Sequence, residues 1–238
     1  MMIYRAAIFD LDGVIADTAR LHLLAWRQLA EGLNLPWAAD TEERLKGLER
    51  MASLEVILGN KSSEYSEEAK IALAARKNSR YQELIRSLSP ADLLPGAGEL
   101  LTWLDSQQIP VGLASASKNA AAVLEALGIS RYFSVIADPE KSAPKPAPDI
   151  FLAAAKGLGV DPEFCIAFED AAAGVSAIKS AEGMTAVGIG SPEVLKDADY
   201  PLATLLEFTP NDFFLSVLAE SGVRQNKNLD KQPNEKTG

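Results

Sequence analysis

Two aspartates, Asp10 and Asp12, directly follow the first apolar run of the chain (residues 3–9) in the sequence FDLDG. Side chains two residues apart on an extended segment point the same way, so both carboxylates can face one small volume. Two carboxylates that close repel each other unless a cation binds between them or one takes up a proton. The pair therefore predicts a metal site, or a nucleophile beside an acid/base group. A solvated turn after a strand is the alternative.

A second acidic pair, Glu169 and Asp170, follows the apolar run that ends at Phe168. Adjacent acids at the carboxyl end of a strand can supply the oxygen ligands that Mg²⁺ prefers. Taken alone, the pair is better explained by Asp170 capping the next helix. Because an acidic pair also ends another strand of the same predicted sheet, a shared metal site becomes the better explanation.

Small hydroxyl residues follow a third apolar run, in the sequence LASASKN. Hydroxyls and free backbone N–H groups between a strand and a helix form an anion site. The alternative is that Ser117 or Asn119 only caps the helix. The candidate phosphate-binding residues of this loop are Ser115, Ala116, Ser117, Lys118 and Asn119.

A lysine, Lys145, lies in the proline-rich sequence APKPAP. The flanking prolines stiffen the loop and fix where the lysine points. A lysine held between two acidic strand ends can neutralise both carboxylates and a phosphate. An ordinary surface lysine is the alternative.

The composition limits the partners. The chain has 238 residues, a formal net charge of −10, 47% apolar residues and 24% charged residues, as soluble proteins do. This acidic balance argues against nucleic acid, which needs clustered Lys and Arg, but leaves room for a small phosphorylated substrate. A single cysteine, Cys165, fits a reducing compartment. No signal-peptide pattern and no run of the ~20 apolar residues that span a bilayer is present, so we expect a cytoplasmic protein without membrane contact.

The elements that must position these residues alternate along the chain. Continuous apolar runs separated by helical stretches indicate a parallel sheet covered on both faces, with its ligand site at the carboxyl ends of the strands. The predicted strands are residues 3–9, 109–114, 133–137, 165–168 and 185–189. The predicted helices between them are roughly residues 98–106, 119–127, 148–158 and 172–181. The predicted fold class is α/β, with a Rossmann-like parallel sheet flanked by helices.

Residues 17–88 break this pattern because they carry almost no strand signal. Leucines there recur near helical spacing, and residues 70–88 form a long helical stretch ended by Pro90. We predict a small all-α cap domain over residues 17–88, inserted after the first strand. The α/β catalytic core then comprises residues 1–16 and 89–223. The polar, aperiodic segment 224–238 is predicted to be disordered.

The order DxDG, SAS, KP and ED on successive strand ends resembles the haloacid dehalogenase-like superfamily of phosphotransferases, over the chain to about residue 220. The resemblance implies that Asp10 is a nucleophile that takes up a phosphoryl group and that Asp12 is the general acid/base. It also implies that Ser115 and Lys145 bind the transferring phosphate. The implied Mg²⁺ ligands are Asp10, the backbone carbonyl of Asp12, Glu169 and Asp170.

Features of the cap resemble the β-phosphoglucomutases within this superfamily. Thr18 and His22 are four residues apart and share a helical face, and the resemblance implies that they act with Asp12. Trp26, again on this face, is either core packing or a wall of the sugar site.

Lys46 and Arg50 are also four apart and can both point into a cleft, although a solvated helix face is the alternative. The resemblance implies that Lys46 contacts the sugar phosphate and that Arg50 grips the phosphate that is not transferred, a role that suits its fork of donors. The other substrate-binding candidates on this side are Gly47, Ser117, Lys118 and Asn119.

The resemblance therefore implies a phosphomutase of the isomerase class that interconverts β-D-glucose 1-phosphate and D-glucose 6-phosphate. Its route would pass through a phosphoaspartate, with β-glucose 1,6-bisphosphate as the activating intermediate and Mg²⁺ as the cofactor. A magnesium-dependent sugar-phosphate phosphatase with the same nucleophile is the main alternative, and a sensor that binds a sugar phosphate without reacting is another. The expected partner is a small sugar phosphate, and the expected state is a monomer.

Overall fold

A computed structural model describes residues 3–45 and 48–214 of the protein. At its centre is a six-stranded parallel sheet. The strands are β1 (Ala6–Phe9), β2 (Val111–Leu113), β3 (Phe133–Ile136), β4 (Cys165–Glu169), β5 (Thr185–Ile189) and β6 (Tyr200–Leu202). Their order across the sheet is β3-β2-β1-β4-β5-β6, and all five pairings are parallel. The predicted Rossmann-like sheet is confirmed, and its first five strands match the apolar runs of the sequence.

The sixth strand, β6, is the one that the apolar runs do not predict. It is three residues long, two of them exposed, and it contains Pro201. Proline cannot donate a backbone hydrogen bond and is confined to sheet edges, which is where β6 lies. A strand with one open edge and little burial has no need of an apolar run, so the sequence pattern passes over it.

Eight α-helices complete the described part of the chain. They are α1 (Ala19–Gly32), α2 (Thr41–Leu45), α3 (Arg50–Leu58), α4 (Glu67–Ile85), α5 (Ala97–Ser106), α6 (Ala120–Ala126), α7 (Asp149–Leu158) and α8 (Ala172–Lys179). Every residue of β1, β2, β4 and β5 is buried, because α5 and α6 pack on one face of the sheet and α7 and α8 on the other. The predicted helices of the core are therefore confirmed to within a few residues.

The helices α1 to α4 lie between β1 and β2, where the sequence predicts the cap. They enclose an apolar cluster of their own that includes Trp26, Leu54 and Ala74. The chain leaves and re-enters the sheet region at one place, since Ala16 pairs with Leu93 and the Leu94 N–H donates to the Ile15 carbonyl at 2.9 Å. The domain limits 17 and 88 stay a prediction, and the predicted tail, residues 224–238, lies outside the described residues.

The sheet order places three strand ends side by side. Phe9 of β1 is in register with Leu113 of β2 on one side and with Phe168 of β4 on the other. The residues that follow these positions therefore share one edge of the sheet. None of the helices that the structure describes is long and apolar enough to cross a bilayer.

Candidate active site

Lys145 connects the two acidic strand ends. Its Nζ lies 2.5 Å from Asp10 Oδ1 and 2.7 Å from Glu169 Oε2. The backbone N–H of Asp10 donates to the Phe168 carbonyl at 2.9 Å, which fixes Asp10 against β4. Burial would lower the pKa of Lys145, but Asp10 and Glu169 together outweigh it and hold that pKa above its ordinary value. Lys145 therefore lies between the two acidic strand ends, as the sequence predicts.

Three carboxylates form an acidic cluster beside this lysine. Oxygens of Asp10, Glu169 and Asp170 lie within 4.8 Å of one another. Burial, and then the negative charge of Asp10, raises the pKa of both Glu169 and Asp170. Carboxylates with raised pKa values are stabilised in their charged form by a cation, and an all-oxygen donor set suits Mg²⁺. The residues present therefore fit a magnesium ion.

Two glycines make room for this acidic cluster. A Cβ atom on Gly13, which has φ +77°, would lie 2.0 Å from Asp170 Oδ2. A Cβ atom on Gly174 of α8 would lie 2.0 Å from the carboxyl carbon of Glu169. Side chains are excluded at both positions, so the carboxylates can approach the backbone closely.

Asp12 lies next to the acidic cluster but faces the cap. The Thr18 hydroxyl donates a short hydrogen bond to Asp12 Oδ1. Burial, and then the charge of Asp10, raises the pKa of Asp12. A carboxyl group with a raised pKa can both give and take a proton near neutral pH, so the geometry suits an acid/base group.

A buried basic group on the cap surrounds His22. Lys77 Nζ lies 2.7 Å from His22 Nδ1 and sits over the rings of Trp26 and Tyr81, at 4.7 Å and 5.1 Å from their centroids. Tyr81 also stacks on His22 with ring centroids 3.8 Å apart. An ammonium group can only donate, so a charged Lys77 leaves His22 neutral with its proton on Nε2.

Burial has the largest effect on the pKa values of both His22 and Lys77. It lowers the pKa of His22 to about 3, with Lys77 and Arg50 adding to the effect. It also lowers the pKa of Lys77 to about 7, with Arg50 again adding to the effect. Lys77 is thus a cation that can lose its proton near neutral pH, next to a histidine that stays neutral.

The loop after β2 has the predicted hydroxyl residues, held by short-range hydrogen bonds. Ser115 is buried, and its Oγ accepts from the backbone N–H of Ser117 at 3.1 Å. Ser117 Oγ in turn accepts from the N–H of Asn119 at 3.3 Å. Ala116 is exposed, and Lys118 points away to an ion pair with Glu140. The loop therefore presents Ser115 and Ser117, while the described position of Lys118 does not support contact with the same ligand.

Arg50 reaches this loop through one side chain of α4. Its Nη2 donates to Asn78 Oδ1 at 2.8 Å, and Asn119 Nδ2 donates to the same oxygen at 2.9 Å. Gln82 Nε2 donates to Asn119 Oδ1 at 3.1 Å. Arg50 and Asn119 are far apart in the sequence, but both donate to the same oxygen atom of Asn78. Their side chains therefore lie close together.

Several local expectations need correction. The helical spacing of Lys46 and Arg50 assumed one continuous helix, but α2 ends at Leu45 and α3 begins at Arg50. Lys46 itself and Gly47 lie outside the described residues. The capping alternative for Asp170 is wrong, because the N-cap residue of α8 is Ala171, whose N–H donates to Glu169 Oε1 at 3.1 Å.

Three site residues on α4, Lys77, Asn78 and Tyr81, are absent from the sequence-based candidates. The signal was present in the helical stripe that α4 buries, which consists of Ala74, Lys77, Tyr81 and Ile85. A lysine within an otherwise apolar stripe is costly to bury unless it has a role. Asn78, next to this stripe, has no such signal and is found only from its contacts.

The parallel sheet, the helical insertion after its first strand and the acidic cluster with its lysine define a class of phosphotransferase. The chain belongs to the haloacid dehalogenase-like hydrolase family, whose model matches residues 4–182.

Individual relatives within this family are close. The chain is 52% identical to a protein named β-phosphoglucomutase from Bacillus subtilis (strain 168) over 198 residues, which are 82% of this chain and 87% of that protein. A crystal structure named β-phosphoglucomutase from Clostridium difficile has a TM-score of 0.83 at 44% identity and covers 95% of this chain and 100% of its own. The fructose-1-phosphate phosphatase YqaB of Escherichia coli (strain K12) is 33% identical over 187 residues, 78% of this chain and 96% of its own. Mutases and phosphatases both occur among the relatives.

Proposed function

We propose that this protein is a β-phosphoglucomutase, which interconverts β-D-glucose 1-phosphate and D-glucose 6-phosphate. The observation that carries the proposal is the presence of two candidate anion sites, one at Lys145 and Ser115 and one where Arg50 meets Asn119 through Asn78. A mutase holds a bisphosphate in two opposite orientations and needs both sites, whereas a phosphatase needs only the first. The 52% identity to the Bacillus subtilis β-phosphoglucomutase supports the same choice.

In this proposal Asp10 carries the phosphoryl group as a phosphoaspartate, which divides one difficult transfer into two easier ones. The phosphoryl group passes to the C6 hydroxyl of β-glucose 1-phosphate, and Asp12 takes up the hydroxyl proton. The product, β-glucose 1,6-bisphosphate, turns round in the site. Its C1 phosphoryl group then returns to Asp10 while Asp12 gives the proton back to the C1 oxygen, and glucose 6-phosphate leaves.

Asp12 is suited to this shuttle because burial raises its pKa, and a well-placed acid/base group contributes on the order of 10²–10⁴-fold. We assign Thr18 to orienting Asp12, since its hydroxyl donates to the Asp12 carboxylate. His22 acts with them, held by Lys77 on one side and Tyr81 on the other.

Magnesium belongs to this proposal as the cofactor, with Asp10, Glu169, Asp170 and the backbone carbonyl of Asp12 as its ligands. When bound, the cation screens the repulsion between a carboxylate nucleophile and an incoming phosphate. Lys145 contributes its own positive charge at the same place and holds Asp10 in position.

The second phosphate is assigned to Arg50, whose guanidinium can give two hydrogen bonds to one phosphate, together with the loop residues Ser117 and Asn119. Trp26 is buried under Lys77, so we assign it to supporting the basic group, with any contact to the sugar indirect. Lys46, Gly47 and Lys118 stay in the proposal on the resemblance alone.

The experiment that tests the proposal measures which product forms. The protein is incubated with β-glucose 1-phosphate, Mg²⁺ and a trace of β-glucose 1,6-bisphosphate, and glucose 6-phosphate and inorganic phosphate are followed together. We expect glucose 6-phosphate to dominate. Mostly inorganic phosphate would instead make the protein a sugar-phosphate phosphatase, and a panel of hexose 1-phosphates in the same assay identifies the preferred sugar.

The proposal includes a monomer that acts in the cytoplasm. A buried, unpaired Cys165 is compatible with a reducing compartment. Size-exclusion chromatography with light scattering measures the oligomeric state directly, and a mass near 25.5 kDa is the expected result.

A further inference from the structure

A chain of three side-chain amides joins α4 of the cap to the start of α6 in the core. We propose that Asn78 and Gln82 grip Asn119 as an amide clasp, which holds the cap closed over the phosphate loop and aims Arg50 at the phosphate that is not transferred. This inference rests on the proposed function, because the benefit of closure is a mutase that excludes water. Asn78 and Gln82 act in it as positioning residues.

The direction of every hydrogen bond in the clasp follows from Arg50. A guanidinium only donates, so the Asn78 atom that faces it at 2.8 Å is the carbonyl oxygen. The Asn119 atom that faces the same oxygen at 2.9 Å must then be its NH₂ group. This turns the Asn119 carbonyl oxygen toward the NH₂ group of Gln82, at 3.1 Å. One arginine thus orients three amides that would otherwise be free to flip.

Helix geometry puts Asn78 and Gln82, the two α4 residues of the clasp, on one face of that helix. Asn78 and Gln82 are four residues apart on α4, so their side chains are neighbours on the helix surface. Asn119 lies just before α6, is 93% buried, and uses both polar ends of its side chain on α4. A single core residue is therefore held at two points by the cap.

The two bonds to Asn119 cross between cap and core, whereas the bond from Arg50 to Asn78 lies within the cap. Opening the cap would break the first two and leave the third. Each neutral hydrogen bond of this kind shifts an open–closed equilibrium by up to about ten-fold. Because Arg50 shares its acceptor with Asn119, closure also brings the guanidinium to the loop that carries Ser117. The clasp therefore couples cap closure to assembly of the second phosphate site.

Gln82 offers the cleanest test, because it is exposed and touches no reacting group in the proposed mechanism. Gln82→Leu keeps the size but removes the donor to Asn119, and Gln82→Lys restores a donor. Asn78→Ala removes the acceptor of the other hydrogen bond to Asn119. Ser79→Ala is the matched control, since Ser79 is an exposed neighbour on α4 whose hydroxyl donates only to the Ala75 carbonyl at 3.2 Å.

The first readout is amide hydrogen exchange of residues 117–124 in the substrate-free protein. We expect exchange to become about ten-fold faster in Gln82→Leu and Asn78→Ala, to return toward wild type in Gln82→Lys, and to be unchanged in Ser79→Ala. This readout does not depend on the reaction, so it tests the clasp even if the proposed function is wrong. Wild-type exchange in Gln82→Leu overturns the clasp, whether or not Asn78→Ala folds.

The second readout is the fate of the phosphoryl group. With β-glucose 1-phosphate as acceptor, we expect the ratio of inorganic phosphate to glucose 6-phosphate to rise about ten-fold in Gln82→Leu. Phosphorylation of Asp10 by acetyl phosphate, which has no second phosphate, should stay at the wild-type rate. An unchanged ratio alongside faster exchange would overturn the coupling to Arg50. Absence of glucose 6-phosphate from the wild type would instead refute the proposed function.

Discussion

The site has two halves that are built in opposite ways. The acidic half lies at the ends of buried parallel strands, where backbone register fixes Asp10 beside Glu169 and Lys145 joins them. The basic half is assembled from separate cap helices, and its members meet through side-chain contacts, such as Lys77 with His22 and Arg50 with Asn78. Under the proposed function, the reacting groups are therefore preassembled by the sheet, whereas the groups that select and enclose the substrate depend on how the cap helices pack.

The electrostatics of the two halves are complementary. Burial and like charges raise the pKa of the carboxylates Glu169 and Asp170, and they lower the pKa of His22 and Lys77. In each half, the charged forms of these side chains are therefore disfavoured as long as no ion of opposite charge is bound. A cation on the acidic side and a phosphate between the halves relieve both penalties, which favours binding of the two together.

The largest effect should come from Asp10→Asn in the acidic half. The amide oxygen can still accept from Lys145, so the fold is retained, but the carboxylate that the proposed mechanism uses as its nucleophile is gone. We expect kcat for glucose 6-phosphate formation to fall by on the order of 10⁴-fold or more. A coupled assay measures the rate, and mass spectrometry shows whether a phosphorylated protein forms with acetyl phosphate.

Arg50→Ala in the basic half is the contrasting variant. It should still form the phosphorylated protein but lose mutase turnover by roughly 10–10²-fold, the worth of a hydrogen bond to a charged group. If Asp10→Asn keeps wild-type turnover, the acidic half is not where the reaction occurs. Equal losses of phosphorylation in both variants would remove the distinction between the halves.

Gly174→Ala should weaken Mg²⁺ binding without removing any ligand. The new Cβ would lie 2.0 Å from the carboxyl carbon of Glu169 and must displace it. Changes next to a metal ligand typically cost 10–100-fold in affinity, so we expect a loss in that range by isothermal titration calorimetry.

Gly98→Ala in α5 is the matched control for this prediction. Its Cβ would meet Leu93 at an ordinary 3.5 Å, so it should leave Mg²⁺ affinity unchanged and gain roughly 0.5–1 kcal/mol of stability. Unchanged Mg²⁺ affinity in Gly174→Ala would mean that Glu169 is not a ligand.

The contrast between the two halves also explains which parts of the site and the fold could be predicted from the sequence. The acidic half follows rules of short range: apolar runs predict the strands, and parallel strands bring their carboxyl ends to one edge. Asp10 and Glu169 are therefore found from their positions at the ends of apolar runs, and Lys145 from the prolines on either side of it. The edge strand β6 is missed because an exposed strand that contains Pro201 has no apolar signature.

The basic half could be predicted only in part. The spacing from Thr18 singles out the lone His22, but the partner of this histidine, Lys77, is 55 residues further on. Whether two such helices pack face to face depends on tertiary contacts that local periodicity does not contain. The break between α2 and α3 shows the opposite failure, since the four-residue spacing of Lys46 and Arg50 predicts one helix where the chain forms two.

His22→Gln should change how stability depends on pH. The pKa of His22 is about 3 in the folded protein, against its ordinary value of 6.5, so between these values the unfolded chain binds a proton that the folded protein does not. The histidine therefore makes the wild type lose stability as pH falls below about 6.5. We expect this loss to be smaller in His22→Gln by roughly 1–2 kcal/mol at a pH of about 4.5, allowing for partial exposure.

Chemical denaturation of both proteins across this pH range measures the difference. Asp12, Glu169 and Asp170 take up protons with the opposite sign, but both proteins contain them, so the difference curve isolates His22. Parallel stability curves would show that the pKa of His22 is not lowered in the folded protein, so burial would not be what keeps this histidine neutral.

The smallest effect is expected at Tyr81, which borders both halves. Its hydroxyl is fully buried and has no hydrogen-bond partner among the described residues, while burial and then Asp12 raise the pKa of Tyr81 well above its usual range. An unpaired buried donor costs stability, so Tyr81→Phe should be neutral or stabilising by up to about 1 kcal/mol, as measured by thermal unfolding. A loss of that size would show that the hydroxyl donates to Thr18 or Ser117, the two nearby hydroxyls. In that case a side chain of the cap would tie the acid/base group to the phosphate loop, and the two halves would be less independent than their construction indicates.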